Sequence, residues 1–181
     1  YPNGSLACDV IGFTGKDNVG NYGLEQYYNS VLNGTNGREY GYLNDDETLE
    51  RTTIPATDGY NIVSTIDGNI QQIVERYIKD FNDEYTNAAR SGNGARNVGC
   101  IIMDVNNGNV LAMAGYPVFD LNNPRDTSAL IGSPMVNEKG NIDYEAEVIS
   151  AENIDTLLSD DAKTYQNLNY LWKNFCISAT Y

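Results

Sequence analysis

Apolar residues recur every three or four positions through "STIDGNIQQIVERYIKDFNDEYTNAA": Ile70, Ile73, Val74, Tyr77, Ile78, Phe81 and Tyr85 fall on one stripe. With Ser64, Thr65 or Asp67 as the cap, the spacing predicts a long helix with one buried face. Upstream, "NYGLEQYYNSVLNG" predicts a shorter amphipathic helix. Asn21 caps it, Leu24, Tyr27, Tyr28, Val31 and Leu32 repeat at helical spacing, and Gly34 stands where a left-handed residue would end it. From residue 38 to 67 the pattern turns to β-branched and aromatic residues broken by turn formers. "REYGYL", "ERTTI" and "GYNIVST" predict two or three strands around an acidic loop at Asp45, Asp46 and Glu47.

"RSGNGARN" interrupts the pattern and predicts a linker or turn at residues 90 to 97. In "VGCIIMDVNNGNVLAMAGYP" two apolar runs flank Asn106, Asn107 and Gly108, which predicts a hairpin. Both runs are nearly continuous in apolar character, as in a sheet covered on both faces. "PVFDLNNP" reads as a loop, and residues 147 to 181 carry helical texture with polar interruptions. Helices and strands in this mixture predict an α+β fold.

Composition narrows the functions open to such a fold. A net charge of -14 disfavours nucleic acid and anionic membrane surfaces, which call for clustered Lys and Arg. The longest mainly apolar run, residues 110 to 119, is well short of the roughly 20 residues of a spanning helix. With no histidine, a Ser-His-Asp triad, a Cys-His dyad and the usual zinc sites cannot be built. Cys8, Cys100 and Cys176 are widely spaced and lack a C-x-x-C pair, so they read as buried or incidental thiols.

Three clusters of candidate chemistry remain. Asp45, Asp46, Glu47 and Glu50 lack the spacing of a calcium loop, and Asp160 and Asp161, as sequence neighbours, are not a glycosidase pair. Both clusters read as solvated charge. The 14 tyrosines could form a stacking platform for carbohydrate, but their placement on stripes and strands favours core and sheet packing. The apolar ending "LWKNFCISATY" is costly to leave in water, so further chain is expected to pack against it.

Several ordered strings resemble the class B penicillin-binding proteins, monofunctional transpeptidases that cross-link peptidoglycan. "YPNGSLACDVIGFTGKDNVGNYGLEQYYNSVLNGTNG" is similar to their amino-terminal module, with Tyr1, Pro2 and Gly4, then Gly12, then Gly23, Leu24 and Glu25, then Gly34 and Gly37 in family positions. "PATDGYNIVSTIDGNIQ" continues the likeness through Pro55, Gly59, Thr65, Asp67 and Gln71. "MDVNNGNVLAMAGYPVFDLNN", with Gly108, Pro117 and Asp120, resembles the hairpin that opens the transpeptidase domain. "LWKNFCISATY", with Asn174, resembles the segment just before the nucleophile. The Cys8-Asp9 pair departs from the family, which commonly has a polar residue or histidine before Val-Ile-Gly. Glu25 is left without the basic partner segment of relatives, for which Arg38 could substitute; a role at the helix amino terminus is the plainer alternative.

The resemblance implies a dimerisation or pedestal domain at residues 1 to 97, followed at residues 98 to 181 by the first hairpin and pre-nucleophile region of an incomplete transpeptidase domain. No Ser-x-x-Lys and no Lys-[ST]-Gly occurs in the sequence, and Ser91-Gly92-Asn93 matches Ser-x-Asn only in the wrong chain order. No catalytic, cofactor or metal residue is therefore assigned, and this chain is expected to be inert. Its implied work is mechanical: positioning the catalytic domain and offering surface to a membrane glycan polymerase or other cell-wall assembly proteins, with homo-oligomerisation left open. The parent is expected at the outer face of the bacterial cytoplasmic membrane, anchored by a helix absent here. The alternative is a secreted interaction module or an inactive relative without transpeptidase activity.

Overall fold

A computed structural model describes residues 1–43 and 49–178 of the chain. The predicted acidic cluster at Asp45, Asp46 and Glu47 lies outside the described residues. The order of elements is α1 (Cys8–Ile11), β1 (Phe13–Thr14), β2 (Gly20–Asn21), α2 (Gly23–Tyr27), α3 (Asn29–Leu32), β3 (Arg38–Leu43), β4 (Leu49–Ile54), α4 (Gly68–Tyr85), β5 (Val98–Met103), β6 (Val110–Tyr116), α5 (Ile154–Leu157), α6 (Asp161–Leu171) and α7 (Phe175–Ser178). Three antiparallel pairs, β1–β2, β3–β4 and β5–β6, make up the named strands, and with the helices they give the α+β class.

Helix α4 is the predicted long helix, capped by Asp67, whose carboxylate accepts from the amides of Asn69 and Ile70. Its buried positions are Gln71, Val74, Ile78 and Asn82, of which Val74 and Ile78 pack on Ala112 and Ala114 of the β5–β6 hairpin. Ile70 is half-buried against the same cluster, but Ile73, Tyr77, Phe81 and Tyr85 are all exposed. The stripe is wider than the two strands beneath it.

A second core joins distant parts of the chain. Cys8 and Phe13 from the amino terminus, Phe119 and Leu121 after the hairpin, Leu130, Met135, Ile149, and Leu168, Leu171 and Trp172 of the α6 region pack together. Phe13 meets Trp172 edge-on at 5.0 Å, Tyr22 lies 5.5 Å from the same indole, and the Trp172 Nε1 donates to the Pro124 carbonyl at 2.8 Å.

Several expectations are corrected. The predicted helix around residues 21 to 34 is two short helices broken at Tyr28, because the chain there has little core to lie against. Tyr22, at φ 60°, precedes the first helix in place of Asn21, and its carbonyl accepts from Gln26. Gly34 does not take a left-handed conformation; it is needed because a Cβ there would run into the Thr57 carbonyl. No strand forms over "GYNIVST": a Thr35–Thr57 bridge stands just before it, and within it the Tyr60 amide donates to the Val31 carbonyl.

Only some of the tyrosines serve the core: Tyr1, Tyr22 and Tyr116 are half-buried against the two clusters. Tyr27, Tyr40, Tyr42, Tyr60, Tyr77 and Tyr85 are exposed, and β4 is exposed at every position, so β3–β4 stands out as an unsupported ribbon. Of the linker or turn expected at residues 90 to 97, the linker is not what forms; the segment is a packed, bent loop in which Asn93 is buried, its amide donates to the Gly132 carbonyl at 2.8 Å, and the Gly94 amide donates to Asn82 Oδ1 at 2.8 Å. The hairpin is only partly covered on its second face, where Ile101 and Met103 remain exposed.

Candidate functional site

The predicted motif residues gather in three places. At the amino terminus, the Tyr1 hydroxyl donates to Glu25 Oε1 at 3.1 Å and accepts from the Thr14 amide at 3.1 Å. Asn122 Nδ2 donates to the Tyr1 carbonyl at 2.8 Å, and Asp120 Oδ1 accepts from the Asn122 amide at 2.9 Å. Gly4 joins this cluster through its carbonyl, which accepts from the Leu121 amide, while Pro2 is exposed in the opening turn and Leu24 is half-buried in α2. Glu25 thus has Tyr1 as its partner, and the ion pairs among the described residues do not include Arg38. Burial, foremost, holds the Tyr1 hydroxyl above its ordinary range, with the Glu25 charge also raising it. Gly12 and Gly23 sit back to back, each with positive φ and each with another backbone where a Cβ would go.

The second place is the root of the β3–β4 ribbon. A Cβ on Gly59 would strike the Leu32 carbonyl, one on Gly37 would lie 2.8 Å from the Ala56 amide nitrogen, and Pro55 runs alongside. These residues press two chain segments together and bring no titratable group to a shared point.

The third place is where α4 meets the hairpin. The Thr65 hydroxyl donates to the Val110 carbonyl at 2.7 Å, and the Asp67 amide donates to the Leu111 carbonyl at 2.8 Å. Gln71 then bonds to both backbone groups of Met113, with its Nε2 donating to the carbonyl and its Oε1 accepting from the amide, each at 2.9 Å. Segment 65–71 therefore occupies the free side of β6 as a partner strand would. Gly108, at φ 79°, closes the hairpin turn, and its amide donates to the Asp104 carbonyl at 2.8 Å; Pro117 follows β6 through a cis peptide bond.

On its other side, β5 has no neighbouring strand among the described residues. Beside it the uncovered part of α4 forms an apolar groove of about 360 Å³, floored by Val98, Cys100 and Ile102 and walled by Ile73, Tyr77 and Phe81. Sequence reasoning found the stripe but not the groove, since periodicity shows which residues want burial and not how wide the covering sheet is.

Asn174 lies at the junction of the two cores. Its Nδ2 donates to the Asp9 carbonyl at 3.3 Å, and its Oδ1 accepts from the Cys176 amide at 3.0 Å at the start of α7. Burial pushes the Cys8 thiol far up, and burial likewise raises Cys176. Neither thiol is thereby an activated nucleophile. Asp160 caps α6 by accepting from the Ala162 amide at 2.8 Å, and Ser91 and Asn93 belong to the packed loop. Among the described residues no cluster of His, Cys, Asp and Glu suits a metal, and no helix is long and apolar enough to cross a membrane.

No family model matches the chain. It is similar to the penicillin-binding protein PbpB of Mycolicibacterium smegmatis, 32% identical over 143 residues that make up 76% of this chain and 21% of the relative. It is similar to the peptidoglycan D,D-transpeptidase FtsI of Escherichia coli, 33% identical over 132 residues, 68% of this chain and 20% of the relative. Among solved structures, penicillin-binding protein 3 from Mycobacterium tuberculosis, complexed with aztreonam, superposes with a TM-score of 0.53 at 31% identity, over 76% of this chain and 27% of that one. The chain thus spans about a fifth of the length of the curated relatives it matches.

Proposed function

The chain is a homologue of the class B penicillin-binding proteins over 66% to 76% of its length, and from that premise we propose that it is the non-catalytic, positioning portion of a peptidoglycan transpeptidase. The observation that carries the reading is the groove between α4 and β5. An apolar helix stripe lies beside a strand with no neighbour, which is the surface a sheet presents to its next strand. The occupant we propose is the remainder of the transpeptidase domain, the part that in the resembling family carries the serine nucleophile. This chain, without Ser-x-x-Lys or Lys-[ST]-Gly, contributes geometry and no chemistry.

The division proposed from the sequence, a pedestal at residues 1 to 97 and the opening of the transpeptidase domain at residues 98 to 181, gains a mechanical meaning from the packing. Helix α4 lies before residue 97 and the hairpin lies after it, yet Gln71 binds them together. The amino terminus also shares its aromatic core with Trp172. Any motion of the pedestal is transmitted directly to the region ahead of the nucleophile. The exposed β3–β4 ribbon, with Tyr40 and Tyr42 on one face, is the arm we propose for contacts with cell-wall assembly proteins, and the outer face of the cytoplasmic membrane is the proposed place of action.

Cys100 lies in the groove and supplies a native probe for it. A maleimide reacts with Cys100 in this chain, and in a longer form of the protein that continues through the catalytic segments the same thiol is protected at least tenfold. Equal labelling in the two forms contradicts the proposed occupant.

A further inference from the structure

Asp9, at 8% exposure, has no cation within ion-pair distance, the ion pairs among the described residues being Arg51–Glu39 and Lys79–Asp83. Its Oδ1 accepts only a long bond, at 3.7 Å, from the Cys8 thiol. Its Oδ2 lies against Gly115 of β6, so close that a Cβ there would come within 2.7 Å. Its carbonyl holds Asn174, which caps α7. One carboxyl therefore sits where the amino-terminal turn, the hairpin and the segment at residues 174–178 meet. Beside it is a cavity of about 30 Å³, bounded in part by Arg96, Asn97, Tyr170 and Lys173, room for about one water.

We propose that Asp9 is a protonation-operated latch that holds residues 174–178 against the hairpin and the amino-terminal turn. Protonated, the carboxyl is a neutral group that the junction accommodates. Ionised, it is a buried charge without a counter-ion, and the least costly relief is for α7 to lift and admit water.

Burial and the nearby Glu75 charge favour the neutral form, and the long bond from the Cys8 thiol opposes them only weakly. On α1 the neighbour is the Cys8 thiol, and on α7 it is the Cys176 thiol. On α4 the nearest charge is Glu75, of like sign, whose Oε1 accepts from the Ala7 amide and from Gln71 Nε2, each at 2.8 Å. Of the cations bounding the cavity, Arg96 is stacked 3.9 Å over the Tyr144 ring and Lys173 is exposed. Burial, with Glu75 adding to it, pushes the Asp9 carboxyl up to about 7. Once α7 has lifted, the hydrated carboxyl returns to about 3.9. Because the closed form holds its proton more tightly, closure is strongest below about pH 4, weakens as the pH climbs to about 7, and is level above that. No histidine titrates in the upper part of this window, since the chain has none. The inference rests on the chain's own packing and stands apart from the transpeptidase reading.

The test is amide hydrogen exchange of residues 174–178 at pH 5.5 and 7.5, each corrected for the intrinsic exchange rate, in the wild type and in Asp9→Asn. Opening in the wild type rises about 20-fold between the two pH values, and in D9N it does not change with pH. Equal protection at both pH values in the wild type, or the same pH course in D9N, overturns the latch. Should D9N fail to fold, the ¹³C carboxyl shift of Asp9 in the wild type decides alone. A midpoint near 7 supports the proposal, and one below about 5 overturns it.

Discussion

Gln71 and Met113 are joined by two hydrogen bonds of 2.9 Å each, so that one side-chain amide takes the place of a strand residue along the side of β6. Gln71 is fully buried, and a third bond runs from its Nε2 to Glu75 at 2.8 Å. Gln71→Leu leaves the Met113 amide and carbonyl without partners. It is expected to cost about 2 to 4 kcal/mol of unfolding free energy in urea titration. A cost under about 1 kcal/mol would mean that α4 is held to the hairpin by its apolar contacts alone.

Glycines at two kinds of position should behave oppositely. Gly23, at φ 51°, has the Val10 carbonyl where a Cβ would stand, so Gly23→Ala should lose about 2 kcal/mol or more. Gly68, at the first helical position of α4, has nothing within 4 Å and no left-handed φ. There, Gly68→Ala should gain about 0.5 to 1 kcal/mol, readable as a rise in melting temperature.

The groove makes its own prediction. Ile73 and Phe81 are each more than 40% exposed, at 48% and 43%. A double change, Ile73→Glu with Phe81→Glu, is expected to alter unfolding free energy by less than about 1 kcal/mol. The same change should remove most of the binding of a hydrophobic dye and any concentration-dependent association. Unchanged dye binding would place the exposed apolar surface elsewhere.

The three thiols should separate in reactivity at neutral pH. Cys8 is buried and its thiol is pushed far up, so it should resist a maleimide as long as the chain stays folded. Cys100 and Cys176 are half-buried and should label first, as read by peptide mass spectrometry. Early labelling of Cys8 would contradict the packing of the amino-terminal turn.

How legible the fold was depended on how far each signal reaches. The α4 stripe and the Asn106-Asn107-Gly108 turn are local and were readable from residue spacing, whereas the cap was narrowed only to Ser64, Thr65 or Asp67. Tyr27, Tyr40 and Tyr42 look like core residues by type, but burial depends on a neighbouring layer, and no described element covers them. Gly34 and Gly59 were legible as motif positions, while the reason for them, two backbones in contact, is a tertiary fact. The Cys8-Asp9 pair stood out only as a departure. Its meaning depends on Gly115 and Asn174, more than 100 residues away in the sequence.

Covalent labelling with a fluorescent penicillin, detected on a denaturing gel, tests the central claim most directly. Two proteins are compared: this chain, and a longer form that continues through a Ser-x-x-Lys segment. The account predicts label on the longer form alone. Label on this chain itself would contradict the claim that it positions a catalytic domain without supplying the nucleophile, and label on neither would contradict its place in a working transpeptidase.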